Sequence, residues 1–299
     1  MKFTRSVIAQ NQDAPAGSVL TWDLPVNPLS HLIITLRGIN AAAVEATVAA
    51  MVERLARIEV LHRGSSIISI NGPDLFALNK IILTKSPVLT NQVATAAATR
   101  TITLMLPFSR TLLNPDEAFP ASTRGELRLQ ITISPTITAI HPINLQIEAV
   151  EMPEAKPKQY LKTTTMSMTP ISGIENDIAL PTGNKYAGLM LFSTTVPTGT
   201  AWTTTISRIR LLINGLEQYF STANWESLHG DLMSRIGHIQ AYDTSVDNDD
   251  VHRYSFMEMI PENKDTFVLD SKGASSMVLK ITAGDAQPLR VLPIEIVAV

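Results

Sequence analysis

Five segments of this 299-residue chain recur, in the same order, about 150 residues further on. Residues 55–64 (LARIEVLHRG) are answered by 206–215 (ISRIRLLING), and Asp23-Leu24-Pro25 to Thr35-Leu36 by Ala179-Leu180-Pro181 to Leu191-Phe192. Leu104–Pro107 matches Glu258–Pro261, Leu129–Thr132 matches Leu279–Thr282, and Leu145–Val150 matches Ile294–Val299. In chain order the offsets are 156, 151, 154, 150 and 149, so the copies are collinear and differ by short insertions. Solenoid units run about 20–50 residues; a unit this much longer is a whole domain. Two copies of one fold fit the length available. Between them lies Glu151–Lys158 (EMPEAKPK), proline-rich and charged as a domain linker should be.

The expected strands are short and bounded by Gly, Pro, Asn or Asp, the pattern of an all-β sandwich. In the first half they are Leu32–Leu36, Ile58–Leu61, Ile67–Ile70, Ile102–Leu106, Leu127–Ile133 and Leu145–Val150. In the second they are Leu189–Phe192, Ile206–Leu212, Phe256–Ile260, Thr266–Leu269, Met277–Thr282 and Pro293–Val299. Leu127–Ile133 alternates strictly, apolar on odd positions and polar on even ones, so one face meets a core.

Three segments read as helix. Asp74–Ile82 follows Asn71-Gly72-Pro73, with proline suited to the first turn and Asp74 to the positive end of the dipole. Its counterpart places Trp225, Leu228, Leu232 and Ile236 at helical spacing and stops at Gly237. Ala42–Leu55 carries Val44, Val48, Met51 and Leu55 as a stripe in an alanine-rich run. The second half has only the Thr-, Pro- and Gly-rich segment Thr194–Thr205 there, so this helix belongs to the first domain alone.

A net charge of −3 argues against a nucleic-acid binder, which normally shows a basic face. No apolar run reaches the roughly 18 residues of a membrane span, and no apolar stretch of secretory-signal length follows Lys2 and Arg5. Without cysteine there is neither disulfide nor thiolate metal site. His31, His62, His141, His229, His238 and His252 form none of the close pairs that put two imidazoles on one metal, which disfavours a cupin-like enzyme. Asp243–Asp250 holds four carboxylates in eight residues but lacks the glycine and distal glutamate of an EF-hand, so a solvated acidic loop outweighs a calcium site. Nucleophile-elbow and phosphate-loop motifs are absent. Glu117, Asp116, Asp231 and Asp270 could supply a carboxylate pair in space, and Trp22, Trp202 and Trp225 could stack on sugars, with Trp225 better placed in a core. The expectation is no catalytic, cofactor-binding or metal site.

The repeated unit, a strand ending in Arg-Ile-x-Val/Leu-Leu-x-x-Gly followed by a helix, resembles the double jelly-roll major capsid proteins of tailless icosahedral viruses. Adenovirus hexon is a large relative, and the small coat proteins of tailless bacteriophages are the nearest in kind. The resemblance is carried by Ile33–Leu36, Ile58–Leu61, Arg63-Gly64, Ile67–Gly72 and Asp74–Asn79. It implies an all-β fold of two tandem eight-stranded jelly rolls, each with a short helix after its central strands. The implied bounds are 1–152 for the first jelly roll, 153–170 for a linker and the start of the second barrel, and 171–299 for the second jelly roll. It further implies a structural, non-enzymatic role: homotrimers with a pseudo-hexagonal outline tiling an icosahedral shell, with minor capsid and vertex proteins as partners. The virion is then the destination and the host cytoplasm the place of assembly. Many relatives enclose a lipid membrane, which Lys2 and Arg5 could touch. The lack of long tower-like insertions implies that receptor binding falls to another protein. Against this stand a two-domain jelly-roll enzyme acting on glycans, with carboxylates meeting at a cleft, and a tandem carbohydrate-binding module.

Overall fold

Alternating sequence becomes alternating burial in the computed structural model of the chain. It describes residues 2–299 except 42, 44–45, 86, 91–94, 137–138, 199–200, 237–250 and 262–263, with the side chains of 88–90 also left aside. The chain divides into two compact units, residues 1–164 with 298–299, and residues 165–297.

The first unit contains β1 (Thr4–Asp13), β2 (Val19–Asp23), β3 (Leu29–Asn40), α1 (Val48–Val52), β4 (Leu55–His62), β5 (Ser65–Ile70) and α2 (Gly72–Ile81). It continues with β6 (Val88–Thr90), β7 (Thr99–Pro107), β8 (Leu127–Ile133), β9 (Ile140–Glu151) and β10 (Gln159–Thr164). One sheet runs β1-β9-β3-β7-β6; in the other, β2, β8, β4, β5 and β10 are neighbours in that order. In β8 the residues Leu127, Leu129, Ile131 and Ile133 are buried while Arg128 is exposed, as a half-buried strand requires.

The second unit contains β11 (Met166–Met168), β12 (Glu175–Ala179), β13 (Lys185–Ser193), β14 (Ile206–Ile213), β15 (Leu216–Glu217), β16 (Ala223–Asn224) and α3 (Trp225–Ile236). Then come β17 (Tyr254–Glu258), β18 (Leu269–Asp270), β19 (Met277–Ala283) and β20 (Leu289–Ala298). Its sheets run β11-β20-β13-β17 and β12-β19-β14-β15. Set beside the first unit's β1-β9-β3-β7 and β2-β8-β4-β5, the order is the same strand for strand. Each unit is an eight-stranded jelly roll, two facing sheets between which the chain passes back and forth, with β4–β5 and β14–β15 as hairpins within one sheet. The second core draws Ile178, Leu189, Leu191, Ile209, Leu211, Leu279 and Val291 from both of its sheets. Each such fully buried aliphatic side chain contributes about 1.5–3 kcal/mol.

The helices sit at matching places, α2 between β5 and β7 and α3 between β16 and β17. Asn71 caps α2 by accepting the Asp74 N–H at 2.7 Å, and Pro73 occupies its first turn. Each helix is fastened near its C-terminal end to a later strand of its unit, α2 to β7 and α3 to β17, by different chemistry. Asn79 bonds the backbone of Met105 in the first unit. Arg235 pairs with Glu258 and lies over the Phe256 ring in the second.

Three expectations need correction. The helix expected over Ala42–Leu55 is only the five residues of α1, with positions 42, 44 and 45 outside the described residues. Thr47 starts it by capping Ala50 at 3.1 Å, and Leu55 is already paired with Ile133 in the sheet, so strand pairing overrides helix propensity. The strand expected over Thr266–Leu269 is instead a 3₁₀ turn at Asp265–Phe267, leaving Leu269–Asp270 to pair with Lys185 and Tyr186. Phe267 is exposed, so the apolar residues there face no common core. Finally, the linker stretch is woven into the first unit: Lys158 N–H bonds Asp116, Ala118 N–H bonds Gln159, and β10 pairs in parallel with β5. The end of α3 expected at Gly237 lies outside the described residues.

Candidate functional site

The acids and histidines singled out by sequence are dispersed. Glu117 is buried and takes a bidentate hydrogen bond from the Arg110 guanidinium, at 2.7 Å on Oε2 and 3.1 Å on Oε1, plus the Arg110 N–H. Its chain neighbour Asp116 is exposed and pairs with Lys158 at 3.0 Å. Asp231 and Asp270 are exposed in the second unit, Asp270 accepting the Lys272 N–H. No two of these carboxylates share a hydrogen bond.

Each described histidine lies in a different setting. His62 meets Phe119 edge-on at 5.3 Å. His229 stacks on Trp225 and donates from Nδ1 to the Tyr254 carbonyl at 2.7 Å. His141 is on β9, His252 is half-buried, and His31 is buried on β3. His238 and the acidic segment Asp243–Asp250 lie outside the described residues. Among the described residues no group of three or more His, Cys, Asp or Glu could hold a metal, and no helix is long and apolar enough to cross a membrane. Of the tryptophans, Trp225 is core, Trp22 is half-buried on β2 opposite Leu129, and Trp202 is 84% exposed.

What the fold does assemble is a set of polar outer faces. On β12, β14, β15 and β19 the alternate residues Glu175, Asp177, Arg210, Glu217 and Lys280 interlock. Arg210 bonds Glu175 at 2.6 Å and Glu217 at 2.6 Å, and Lys280 bonds Asp177 at 2.8 Å. The Arg210 guanidinium holds the Glu175 and Glu217 carboxyls below the usual range, and those acids in turn raise Arg210. The matching sheet of the first unit carries the Asp23–Arg128 and Arg57–Glu59 pairs. These faces escaped notice in sequence because their charges are spread singly over strands distant in the chain; the period-2 alternation was their one signal.

A second cluster ties the N-terminal strand down. Arg5 of β1 pairs with Glu148 of β9. The Ser6 hydroxyl donates to Glu151 at 2.6 Å, and the Asn27 amide, from the turn before β3, to the same carboxylate at 2.8 Å. Arg5 holds the Glu148 carboxyl below its usual range. Arg5, entertained above as a lipid contact, is thus matched inside its own unit, while Lys2 is exposed.

No protein-family model and no curated protein sequence matches the chain. Solved structures do. A chain of the atomic structure of Sulfolobus turreted icosahedral virus is 13% identical, with a TM-score of 0.74 over 100% of this chain and 91% of that one. The major capsid protein P2 of bacteriophage PM2 is 10% identical, with a TM-score of 0.69 over 100% and 98%. The PBCV-1 virus capsid gives 10% identity and a TM-score of 0.65 over 99% and 93%. At such identities the likeness is one of fold, and it spans both jelly rolls in each case. The chain is a double jelly-roll protein.

Proposed function

We propose that this chain is a major capsid protein, forming pseudo-hexagonal homotrimers that tile an icosahedral virion shell. The observation that carries the reading is the duplication itself: two jelly rolls with one strand order in one chain, alike over nearly full length on both sides to the PM2 capsid protein. A trimer of such chains presents six jelly rolls, so a three-fold oligomer can take the outline of a hexagon and pack into a closed shell. Neighbouring trimers must meet in slightly different settings. Flat polar faces suit that, because many modest contacts tolerate small shifts better than one large apolar interface. The interlocked charges around Arg210 and Lys280 belong to such a face. The role is structural rather than catalytic, and its further partners are minor capsid and vertex proteins.

Size-exclusion chromatography with light scattering tests this. Three copies of a 32.6 kDa chain give about 98 kDa, and negative-stain images of that species should show hexagonal outlines. A monomer at every concentration would overturn the reading.

A further inference from the structure

The N-terminal strand is built unlike the rest of its sheet. Of the ten residues of β1 only Ala9 is buried, and its pairing with β9 is interrupted between Val7 and Ala9 and again between Ala9 and Gln12. It stands at the edge of the sheet, whereas β9 and β3 beside it are deeply buried. Near its N-terminal end its side-chain links to β9 end on two carboxylates that are each 7% exposed: Arg5 on Glu148, and Ser6, with Asn27 from the turn before β3, on Glu151. His31 of β3 lies opposite Val150, between those two acids along β9. It is 6% exposed, shares a hydrogen bond with Ser30 Oγ at 2.9 Å, and feels the charge of Arg5.

We propose that β1 is an acid-releasable strap: proton uptake at Glu148 and His31 unfastens Thr4–Asp13 from β9 while the other strands of this jelly roll stay folded. A protonated Glu148 no longer attracts Arg5, and a protonated His31 places a buried cation near that guanidinium. The charge acting on His31 is that of Arg5 from β1; on β9, Glu148 shares the face of Val150, the partner of His31, and Glu151 lies on the opposite face, while on the segment after β7 Arg110 and Glu117 satisfy one another. That segment reaches His31 through Leu113, whose N–H bonds Ser30 Oγ, and β7 itself brings only Pro107 opposite it. Little apolar burial opposes release, so β1 belongs to the low-stability end of the structure. Its departure leaves the edge of β9 open to another strand. The device is a property of the single chain and stands apart from the capsid reading.

Hydrogen exchange of the full chain at pH 7.5 and 4.5, corrected for intrinsic rates, is the test. Peptides covering Thr4–Asp13 should lose about tenfold protection or more on acidification, and at pH 4.5 they should exchange well ahead of those covering β3 and β8. His31→Gln should lose clearly less than the wild type at pH 4.5, and Glu148→Gln should already be loose at pH 7.5. Equal protection of β1 at both pH values would overturn the proposal, as would β1, β3 and β8 exchanging at one common rate at pH 4.5. Should Glu148→Gln fail to fold, the comparison of His31→Gln with the wild type decides alone.

Discussion

The side-chain amide of Asn79 serves Met105 as a neighbouring strand would. Its Nδ2 donates to the Met105 carbonyl at 2.6 Å and its Oδ1 accepts the Met105 N–H at 2.8 Å. The β6 strand pairs with β7 only at Thr101–Thr103, so the helix takes over where that strand stops. Asn79→Leu keeps the volume but leaves both backbone groups without a partner in a buried place. The expected cost is about 2–4 kcal/mol, read as a lower midpoint in urea. A loss within error would mean that water reaches Met105.

Arg110 and Glu117 are the most deeply buried ion pair described, with side chains 9% and 2% exposed. Taking one charge out of such a pair is worse than taking both, because the survivor stays buried and uncompensated. Arg110→Met should cost about 3–5 kcal/mol, and the double variant Arg110→Met with Glu117→Leu distinctly less. Equal losses in the two variants, measured by chemical denaturation, would show that the pair is not coupled in this way.

Two glycines separate a tight site from an idle one. A Cβ on Gly188 of β13 would stand 2.4 Å from the Phe256 ring and 2.7 Å from the Met257 carbonyl. Gly188→Ala should therefore destabilise by about 1–3 kcal/mol. On Gly230, inside α3, a Cβ meets nothing within 4 Å. Gly230→Ala should stabilise by up to about 1 kcal/mol through helix propensity. Thermal midpoints moving in opposite directions are the expected readout; a shared sign would contradict the packing at Gly188.

The duplication is legible in sequence down to register, but in one sheet of each unit only. Val60 stands opposite Leu129, and their sequence counterparts Leu211 and Leu279 stand opposite each other. Asp23 opposite Arg128 likewise maps onto Ala179 opposite Val278. In the other sheet the matches fall on the wrong face. The counterpart of Ile34 is Met190, which lies between Leu189 and Leu191, the residues that reach the core cluster; Glu258, matched to Leu104, lies likewise between Met257 and Met259. The physical reason is burial on both faces. Met190, Phe256, Leu292 and Ile294 are all buried although they point away from that cluster, so β13, β17 and β20 carry apolar residues on both faces, with no alternation to fix one of them. The exposed β1 and β12 were illegible for the opposite reason, having too few apolar residues to make a pattern. The clamp on β1 joins residues more than 140 positions apart, and nothing local in either segment announces it.

Acid should weaken the fold first through His31. Burial, and then the nearby charge of Arg5, lowers its imidazole from 6.5 to about 4. Between those values the unfolded chain binds a proton that the folded chain refuses, so every step down in pH favours unfolding. The contribution is complete above pH 6.5 and is lost progressively down to about 4, amounting to about 3 kcal/mol over the window. Glu148 acts lower: its carboxyl is held below the usual range, so its share is lost only as pH falls through that depressed value. Urea midpoints at pH 7.5, 6.0 and 5.0 should accordingly fall for the wild type and stay nearly level for His31→Gln, with both proteins losing stability together further down. A His31→Gln variant that kept the wild-type slope between pH 6.5 and 5 would assign the effect to other groups.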